Sequence, residues 1–188
     1  MKQLTEKEAE DLLEKEGFKL VERAFAKTKN DLGKIEKRIK YPWAMKASSS
    51  KIVHKAKIGG VKLNIKNLDE ALSSFNELAK IKGFEEVLIQ EMISGDELII
   101  GLEKTLEFSH VLMFGKGGSN VEEEKDVAFR VLPMTKEDID DIIDETKISS
   151  TLNKNKANFG KLKKIIEKVA MLAEKYENIS EFEINPLF

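Results

Sequence analysis

Five segments of the sequence combine residue types that could bind phosphate, a metal ion or a nucleotide base. The first, residues 41–47, is an apolar stretch that contains Lys46. An ammonium group inside an apolar strand costs free energy unless it meets an anion, and a phosphate would provide one. A lysine at a sheet edge, with its side chain extending to water, is the alternative.

The second segment, residues 54–61, contains His54, two lysines and then Gly59 and Gly60 before an apolar strand. Consecutive glycines allow backbone N–H groups to approach a ligand oxygen closely. A neutral imidazole beside lysines could act as a nucleophile toward a phosphoryl group and form a phosphohistidine. A surface turn with an incidental histidine is the alternative interpretation.

The third and fourth segments contain turns that follow apolar strands. Glu91 and Met92 end one such strand, where backbone groups could face a flat heterocycle, and Glu97 could accept hydrogen bonds from ribose hydroxyls. The glycine cluster at 115–118 lacks the spacing of a P-loop and the Gly-x-Gly-x-x-Gly pattern of dinucleotide-binding folds. Plain hairpins are the alternative for both segments.

The fifth segment, residues 181–187, alternates Glu181, Glu183 and Asn185 with apolar residues. Successive side chains of a strand point to opposite faces, so these three would share one face. Carboxylate and amide oxygens suit Mg²⁺, and carboxylates so close together repel each other unless a cation lies among them. This pattern predicts a metal site.

The composition excludes several classes of protein. The chain has 188 residues, of which 41% are hydrophobic and 35% charged, with no Cys and two His. The absence of Cys excludes disulfides, thiol catalysis and Cys-ligated metal centres. No apolar run approaches the ~20 residues that span a bilayer, and the first residues lack an apolar signal core. We therefore expect a soluble, cytoplasmic protein with no membrane partner.

Charge is distributed unevenly along the chain. Residues 1–66 carry a net charge of +8 and residues 67–188 carry −10, which leaves −2 for the whole chain. A basic segment favours a polyanionic partner such as phosphate groups or nucleic acid. In the most basic part, residues 34–66, the aromatic residues that could stack on bases are only Tyr41 and Trp43. We therefore expect no nucleic-acid partner.

Hydrophobic periodicity predicts an α+β protein with two lobes. A first helix over 5–17 has a capping box at its start and a glycine at its end. A small lobe is expected over about 18–84 and a larger lobe over about 85–188. In the larger lobe, strands without intervening helices indicate antiparallel pairing.

The remaining elements follow from the same patterns. The apolar runs 86–93 and 97–103 flank Ser94-Gly95-Asp96, which predicts a hairpin. Period-two or apolar runs predict the other strands, and a 3.6-residue period predicts the other helices. The other strands are expected at 19–26, 43–47, 61–65, 110–114, 127–132 and 181–185, and the other helices at 29–40, 69–80, 135–145 and 158–176.

Five motifs occur in a fixed order along the chain. They are Tyr41-Pro42…Lys46, His54-Lys55…Gly59-Gly60-Val61, Gln90-Glu91-Met92, Gly117-Gly118…Glu122…Asp126…Phe129-Arg130, and Glu181-Phe182-Glu183-Ile184-Asn185-Pro186-Leu187. In this order they resemble an ATP-grasp domain. The specific match is to the nucleotide-binding β subunit of NDP-forming acyl-CoA synthetases, the acetate–CoA ligase (ADP-forming) group. The resemblance covers nearly the whole chain and implies a single ATP-grasp domain over residues 1–188.

The resemblance implies a fold and a set of site residues. In an ATP-grasp fold, two lobes with mainly antiparallel sheets hold the nucleotide between them. Glu183 and Asn185 would bind Mg²⁺, and His54 would be the catalytic residue that carries a phosphoryl group. The implied nucleotide-binding residues are Lys46 and the Gly59-Gly60 turn for the phosphates, Glu91 and Met92 for adenine, and Glu97 for ribose.

The resemblance also implies a partner. In the family, a CoA-binding α subunit passes a phosphoryl group from an acyl phosphate through a histidine to the β subunit, where ADP accepts it to give ATP. An α2β2 heterotetramer is the expected assembly. The alternative is a catalytically degenerate ATP-grasp module that binds nucleotide as a scaffold or sensor and transfers no phosphate.

Overall fold

The computed structural model describes residues 4–49, 51–52, 55–119, 121–152 and 156–188. The chain divides into two compact units, Met1–Ile93 and Ser94–Phe188. Each unit contains a four-stranded sheet in which all pairs are antiparallel, with helices packed against it. The predicted α+β class is therefore confirmed.

In the described residues of the first unit there are three α-helices, one 3-10 helix and four strands. These elements are α1 (Glu6–Lys15), β1 (Arg23–Ala26), α2 (Lys29–Ile35), β2 (Trp43–Ser48), the 3-10 helix (Lys55–Ile58), β3 (Val61–Ile65), α3 (Leu68–Leu78) and β4 (Glu86–Glu91). The strand order is β1-β4-β2-β3. β2 and β4 are thus the two central strands, and β1 and β3 are the edges.

One face of this sheet forms an apolar core with α2 and α3. Met45 and Ala47 of β2 are fully buried in it, together with Leu32 of α2 and Leu78 of α3. Burial of a leucine of this kind contributes about 1.5–3 kcal/mol. Because side chains alternate along a strand, Lys46 points to the opposite face.

Helix α1 lies against that opposite face. Its start has the predicted capping box, in which Glu8 N–H donates to Thr5 Oγ1 at 3.2 Å and Thr5 N–H donates to Glu8 Oε2 at 2.8 Å. Leu13 is its buried apolar residue. The helix ends at Lys15, two residues before Gly17, whose φ of 77° suits a glycine.

The part of the second unit that the structure describes has four strands and four helices. They are β5 (Leu98–Glu103), β6 (Val111–Lys116), α4 (Val121–Glu124), β7 (Val127–Val131), α5 (Lys136–Asp144), α6 (Ser149–Leu152), α7 (Lys156–Lys175) and β8 (Glu181–Leu187). The strand order is β7-β6-β5-β8. The terminal strand β8 therefore lies at a sheet edge, beside β5.

The 20-residue helix α7 is the longest in the described part of the chain. It buries Ile166 and Val169 and packs against β5 and α5. Among the residues that the structure describes, no helix is both long enough and apolar enough to cross a membrane.

The middle of the chain differs from the sequence-based expectation. The predicted hairpin between residues 86–93 and 97–103 is wrong, because β4 pairs with β1 and β2 whereas β5 pairs with β6 and β8. The first unit consequently extends to Ile93, past the lobe boundary expected near residue 84. Pairing with strands distant in sequence outweighed the local turn signal.

Candidate active site

Lys46 occupies a central strand of the first sheet. The register places it opposite Val61 of β3 and Leu88 of β4. Its side chain is 23% exposed and lies on the face that α1 covers. The alternative of an edge-strand lysine is therefore excluded, and the ammonium group needs an anionic partner where it stands.

Glu6 of α1 provides that partner. Its Oε1 lies 3.6 Å from Lys46 Nζ, and its Oε2 pairs with Lys55 Nζ. All three side chains are between 21% and 23% exposed. One carboxylate therefore neutralises two lysines that lie nine positions apart in the sequence.

Glu10 lies one helical turn after Glu6 and faces the same sheet. Gln90 Nε2 donates to its Oε1 at 2.7 Å, and Arg23 Nε lies 3.0 Å from its Oε2. Burial raises the pKa of the Glu10 carboxyl to about 6, and the charge of Glu6 raises it too, whereas Arg23, Lys46 and the Gln90 hydrogen bond lower it. The ionised form of Glu10 is therefore disfavoured in the folded protein.

We expect Glu10→Gln to stabilise the protein at neutral pH and to lose this advantage as the pH falls. With a pKa of about 6 in the folded state and 4.5 in the unfolded state, ionised Glu10 destabilises the fold above pH 6 by at most about 2 kcal/mol. This destabilisation disappears as the pH falls from about 6 through 4.5, because the carboxyl is then protonated in both states. Urea unfolding of wild type and variant at about pH 7.5 and about pH 4.5 measures the difference.

The control for this prediction is Glu14→Gln on the same helix. The Glu14 side chain is 65% exposed, and exposed ion pairs contribute little to stability. If Glu10→Gln increased the free energy of unfolding equally at both pH values, the raised pKa of Glu10 would not explain the effect.

The Gly59-Gly60 turn connects the 3-10 helix to β3. Gly59 has a φ of 71°, a conformation that favours glycine. Gly60 N–H donates to the Lys55 carbonyl at 2.7 Å, and the Gly60 carbonyl accepts from Ala47 N–H at 2.8 Å. The turn therefore lies next to Lys46, as the sequence suggests, but the N–H of Gly60 is already bonded within the protein.

Glu91 and Met92, the predicted adenine-binding residues, lie at the end of β4. Glu91 N–H donates to the Glu22 carbonyl at 3.1 Å, and Met92 N–H donates to the Pro42 carbonyl at 2.9 Å. Met92 Sδ accepts from Asn64 N–H at 3.1 Å. In this arrangement a base could meet carbonyl oxygens and side chains here, but not these two N–H groups.

Lys46 and the end of β4 lie along the same pair of strands. Leu88 is opposite Lys46 and Glu91 is opposite Trp43, three residues further along. At about 3.3 Å per residue the separation is roughly 10 Å. An extended nucleotide covers such a distance between its base and its phosphates, so one ligand could reach both places.

His54, the predicted catalytic residue, lies outside the described residues. Lys55, the next residue, begins the 3-10 helix and pairs with Glu6. Because Lys46 pairs with the same carboxylate, the residue that follows His54 lies close to Lys46.

The second unit contains the predicted metal-binding strand. Glu181, Glu183 and Asn185 are exposed, whereas Phe182 and Ile184 between them are partly buried. The alternation expected of this strand is therefore present, and β8 presents its three polar side chains on one face.

Asn185 holds the glycine turn that follows β6. Its Oδ1 accepts from Gly118 N–H at 2.8 Å, and its Nδ2 donates to the Gly118 carbonyl at 3.3 Å. Gly118 has a φ of 99°, and a Cβ there would fall 2.4 Å from Glu97 Oε2. Glu97 and Gly118 also line an open depression of about 260 Å³. The structure thus brings Glu97 and Asn185 to the same glycine.

The donor set on β8 fits Mg²⁺ that is bound together with a phosphate ligand. The Glu183 side chain is exposed as a whole, but neighbouring atoms partly desolvate its carboxyl and raise its pKa. The charge of Glu181 raises this pKa too, whereas the Asn185 hydrogen bond lowers it. A nearby cation would favour the charged form. Within the described ranges, no group of three or more His, Cys, Asp or Glu side chains could hold a metal ion. Mg²⁺ commonly takes one or two carboxylates and completes its shell with substrate phosphates and water, which suits Glu183 and Asn185.

Gly118→Ala is expected to destabilise the protein by about 1–3 kcal/mol, because a residue with a Cβ is strained at this φ. The added Cβ also requires Glu97 to move its carboxylate. The shift of the urea midpoint measures the effect. Gly160→Ala in α7 is the matched control, since open space surrounds that position and alanine favours a helix. If both variants unfolded at the wild-type urea concentration, the glycine turn would not be constrained as described.

Two charged residues of the fourth motif stabilise the fold of the second unit. The Asp126 carboxylate accepts from the backbone N–H of Lys147 at 2.7 Å and of Ile148 at 3.0 Å. The Arg130 guanidinium donates twice to Glu145, at 2.6 and 2.9 Å. Both side chains are thus used within the protein.

A larger depression of about 350 Å³ lies beside β1 and contains none of the predicted site residues. Its arginines are already neutralised, because Arg23 pairs with Asp11 and Glu14 and Arg38 pairs with Glu22. Among the described residues that line it, this depression offers no unpaired arginine for a phosphate, and we do not take it as the functional site although it is the larger of the two.

The contribution of α1 to the site was not predicted from the sequence. The capping box indicated the helix, but neither Glu6 nor Glu10 was a candidate site residue. Their partners Lys46 and Gln90 lie 40 and 80 positions away. Acidic residues in a first helical turn are ordinary, so no signal in the sequence identified them.

Comparisons with known proteins identify the same family that the sequence motifs resemble. A family model described as an ATP-grasp domain matches residues 1–188. The chain is 36% identical over 197 residues to acetate–CoA ligase [ADP-forming] I subunit beta of Pyrococcus furiosus, with 98% of this chain and 85% of that protein covered. It is 38% identical over 189 residues to acetate–CoA ligase [ADP-forming] II of Archaeoglobus fulgidus, with 98% of this chain but 28% of that protein covered.

A solved relative is the dinucleotide forming acetyl-coenzyme A synthetase 1 of Ca. Korarchaeum cryptofilum. In its complex with coenzyme A, Ca-AMPCP and HgCl+, it superposes with a TM-score of 0.84 at 29% identity, over 97% of this chain and 85% of that chain. A second complex holds coenzyme A and Mg-AMPPCP, with a phosphohistidine segment pointing towards the nucleotide binding site. It gives a TM-score of 0.76 at 27% identity, over 96% and 83% of the two chains.

These matches cover nearly all of this chain, and the ATP-grasp description of the family model agrees with the resemblance found in the sequence. The chain spans about a quarter of the length of the longer relatives and most of the length of the separate β subunit. The chain belongs to the ATP-grasp family, in the group of the β subunits of ADP-forming acetate–CoA ligases.

Proposed function

We propose that this chain is the nucleotide-binding β subunit of an ADP-forming acyl-CoA synthetase of the acetyl-CoA type. It transfers a phosphoryl group between a phosphohistidine and ADP or ATP, with Mg²⁺. The observation that carries this proposal is Lys46, an ammonium group on a central strand in a family whose members include a structure with Mg-AMPPCP.

Each predicted site residue has a proposed role. Lys46 binds phosphate oxygens, and the Gly59-Gly60 turn lies beside them. The end of β4, at Glu91 and Met92, meets adenine through carbonyl oxygens and side chains. The remaining roles are ribose binding by Glu97, Mg²⁺ binding by Glu183 and Asn185, and phosphoryl transfer by His54.

The transfer step balances without a further reactant. In the direction of ATP synthesis, the P–N bond of the phosphohistidine breaks and a terminal phosphate oxygen of ADP forms the new P–O bond. A ring nitrogen of the imidazole takes up a proton from water, so the leaving group is a neutral imidazole. Lys46 neutralises negative charge on the transferring group, which such reactions require. Mg²⁺, when bound, supplies further charge neutralisation.

A CoA-binding α subunit is the proposed partner, in an α2β2 heterotetramer in the cytoplasm. Relatives named as subunit beta support a division of the reaction between two chains. The longer relatives, of which this chain spans 28%, support the same division, since most of their length lies outside the matched region. Acyl-group and CoA binding are assigned to the partner.

The alternative of a binding-only module gains no support. The relatives carry enzyme names, and the residues proposed to bind phosphate and metal are all present in this sequence. A scaffold or sensor would not require a histidine in the second motif.

Reconstitution tests the proposal. The chain is mixed with the α subunit of an ADP-forming acetate–CoA ligase, acetyl-CoA, phosphate, ADP and Mg²⁺, and ATP formation is measured. We expect ATP only when both chains and Mg²⁺ are present. No ATP from the mixture, together with no binding of ADP to this chain alone, would reject the function.

A further inference from the structure

Glu6 contacts both lysines of the proposed phosphate-binding region. One of its carboxylate oxygens faces Lys46 and the other faces Lys55. A nucleotide phosphate, like a carboxylate, presents anionic oxygens that two ammonium groups can bind at once. The carboxylate therefore stands where phosphate oxygens would be most strongly attracted.

The surroundings make this position unfavourable for a second anion while Glu6 remains there. Glu10 lies one turn away on the same face, and its interaction with Glu6 is repulsive. Lys46 is attracted by both carboxylates, and Arg23 is neutralised by Glu10, Asp11 and Glu14. An incoming phosphate thus meets paired cations and two carboxylates.

Glu6 can leave without unfolding α1. It is the first residue of the helix, and the capping box that secures this end is formed by Thr5 and Glu8. Its side chain is 21% exposed, so a change of rotamer can turn the carboxylate toward water. The helix would keep its cap and its buried Leu13.

We propose that Glu6 competes with nucleotide phosphates for Lys46 and Lys55 and thereby sets the affinity of the site. The inference rests on the proposed function only in taking Lys46 as a phosphate-binding residue. A nucleotide displaces Glu6 because its phosphates carry more negative charge than one carboxylate. In the absence of nucleotide, Glu6 keeps the two lysines neutralised.

Calorimetric titration of ADP with excess Mg²⁺ into wild type, Glu6→Gln and Glu6→Ala tests the inference. Both variants are expected to bind ADP about three- to thirtyfold more tightly than wild type, the range for the loss of two partly exposed ion pairs. Glu14→Gln removes the same charge from α1 at a position that pairs with Arg23, and it should bind like wild type. Far-UV circular dichroism shows whether each variant is folded.

The outcomes separate this inference from the proposed function. If wild type binds ADP and both Glu6 variants bind equally or more weakly, competition by Glu6 is rejected while nucleotide binding stands. An equal gain for Glu14→Gln would show a general charge effect and reject it as well. If neither wild type nor any folded variant binds ADP, both the inference and the proposed function fail.

Discussion

His54→Ala is expected to abolish the acid-labile phosphate that this chain acquires from radiolabelled ATP and Mg²⁺. A phosphohistidine is stable to base and labile to acid, and an alanine provides no nucleophile in its place. The amount of base-stable label per protein molecule, measured before and after acid treatment, gives the result. We expect label on wild type and none above background on the variant.

The small number of histidines in the sequence makes the result of this test easy to assign. Only two histidines are present, and the other, His110, is 1% exposed with its Nε2 2.8 Å from the Ile179 carbonyl. An acid-labile label that persisted in His54→Ala would therefore require another route and would contradict the assignment. Ile58→Ala in the neighbouring 3-10 helix is the matched control, because that side chain is half exposed and has no proposed role. It should be labelled like wild type.

Lys46→Met is expected to weaken the binding of ADP in the presence of Mg²⁺ by about ten- to a hundredfold. The change removes the ammonium group and keeps most of the side-chain volume, so it tests charge rather than packing. A hydrogen bond to a charged group contributes about 1.5–3 kcal/mol, which corresponds to this range. Calorimetric titration gives the dissociation constants.

Lys62→Met is the control for that measurement. Lys62 lies on the adjacent strand β3, opposite Met45 in the register, and pairs with Glu77 of α3 on the other side of the sheet. Its loss should leave the affinity for ADP unchanged. Equal affinities for wild type and Lys46→Met, or equal losses in both variants, would exclude Lys46 as a specific phosphate ligand.

Local patterns predicted most of the elements. The capping box at Thr5 and Glu8 located α1, and strict alternation located β3 and β8. These features depend on neighbours within about four positions, so a single sequence contains the information. The strand containing Lys46 was also predictable, because apolar residues surround the lysine on both sides.

Strand partners were harder to predict. The turn at Ser94-Gly95-Asp96 suggested a hairpin, yet β4 joins β1 and β2 in the first sheet. A turn signal describes the local backbone only, whereas the partner of a strand depends on the burial of both its faces. Leu88 and Ile89 of β4 are both fully buried, and an edge position would have exposed such a strand.

The residues of the candidate site came from sequence motifs and stay predictions as binding residues, whereas the contacts that they make within the protein were not predicted. Lys46 was singled out because an ammonium group in an apolar strand needs an anion. Asn185 was singled out because it alternates with apolar residues on the same strand as Glu183. The bridge from Glu6 to Lys46 and Lys55 joins residues 40 and 49 positions apart. Asp126 belongs to one of the five motifs, but its carboxylate accepts hydrogen bonds from backbone N–H groups of its own unit. Membership of a motif therefore did not show whether a charged residue has a structural role.

A crystal structure of the chain with ADP and Mg²⁺ would show whether Lys46 binds the phosphates of the nucleotide. We expect phosphate oxygens of ADP to lie within hydrogen-bond distance of Lys46 Nζ, in place of the Glu6 carboxylate. We also expect Glu183 and Asn185 to bind Mg²⁺. An ADP molecule whose phosphates contact neither Lys46 nor a metal ion on Glu183 would contradict both expectations.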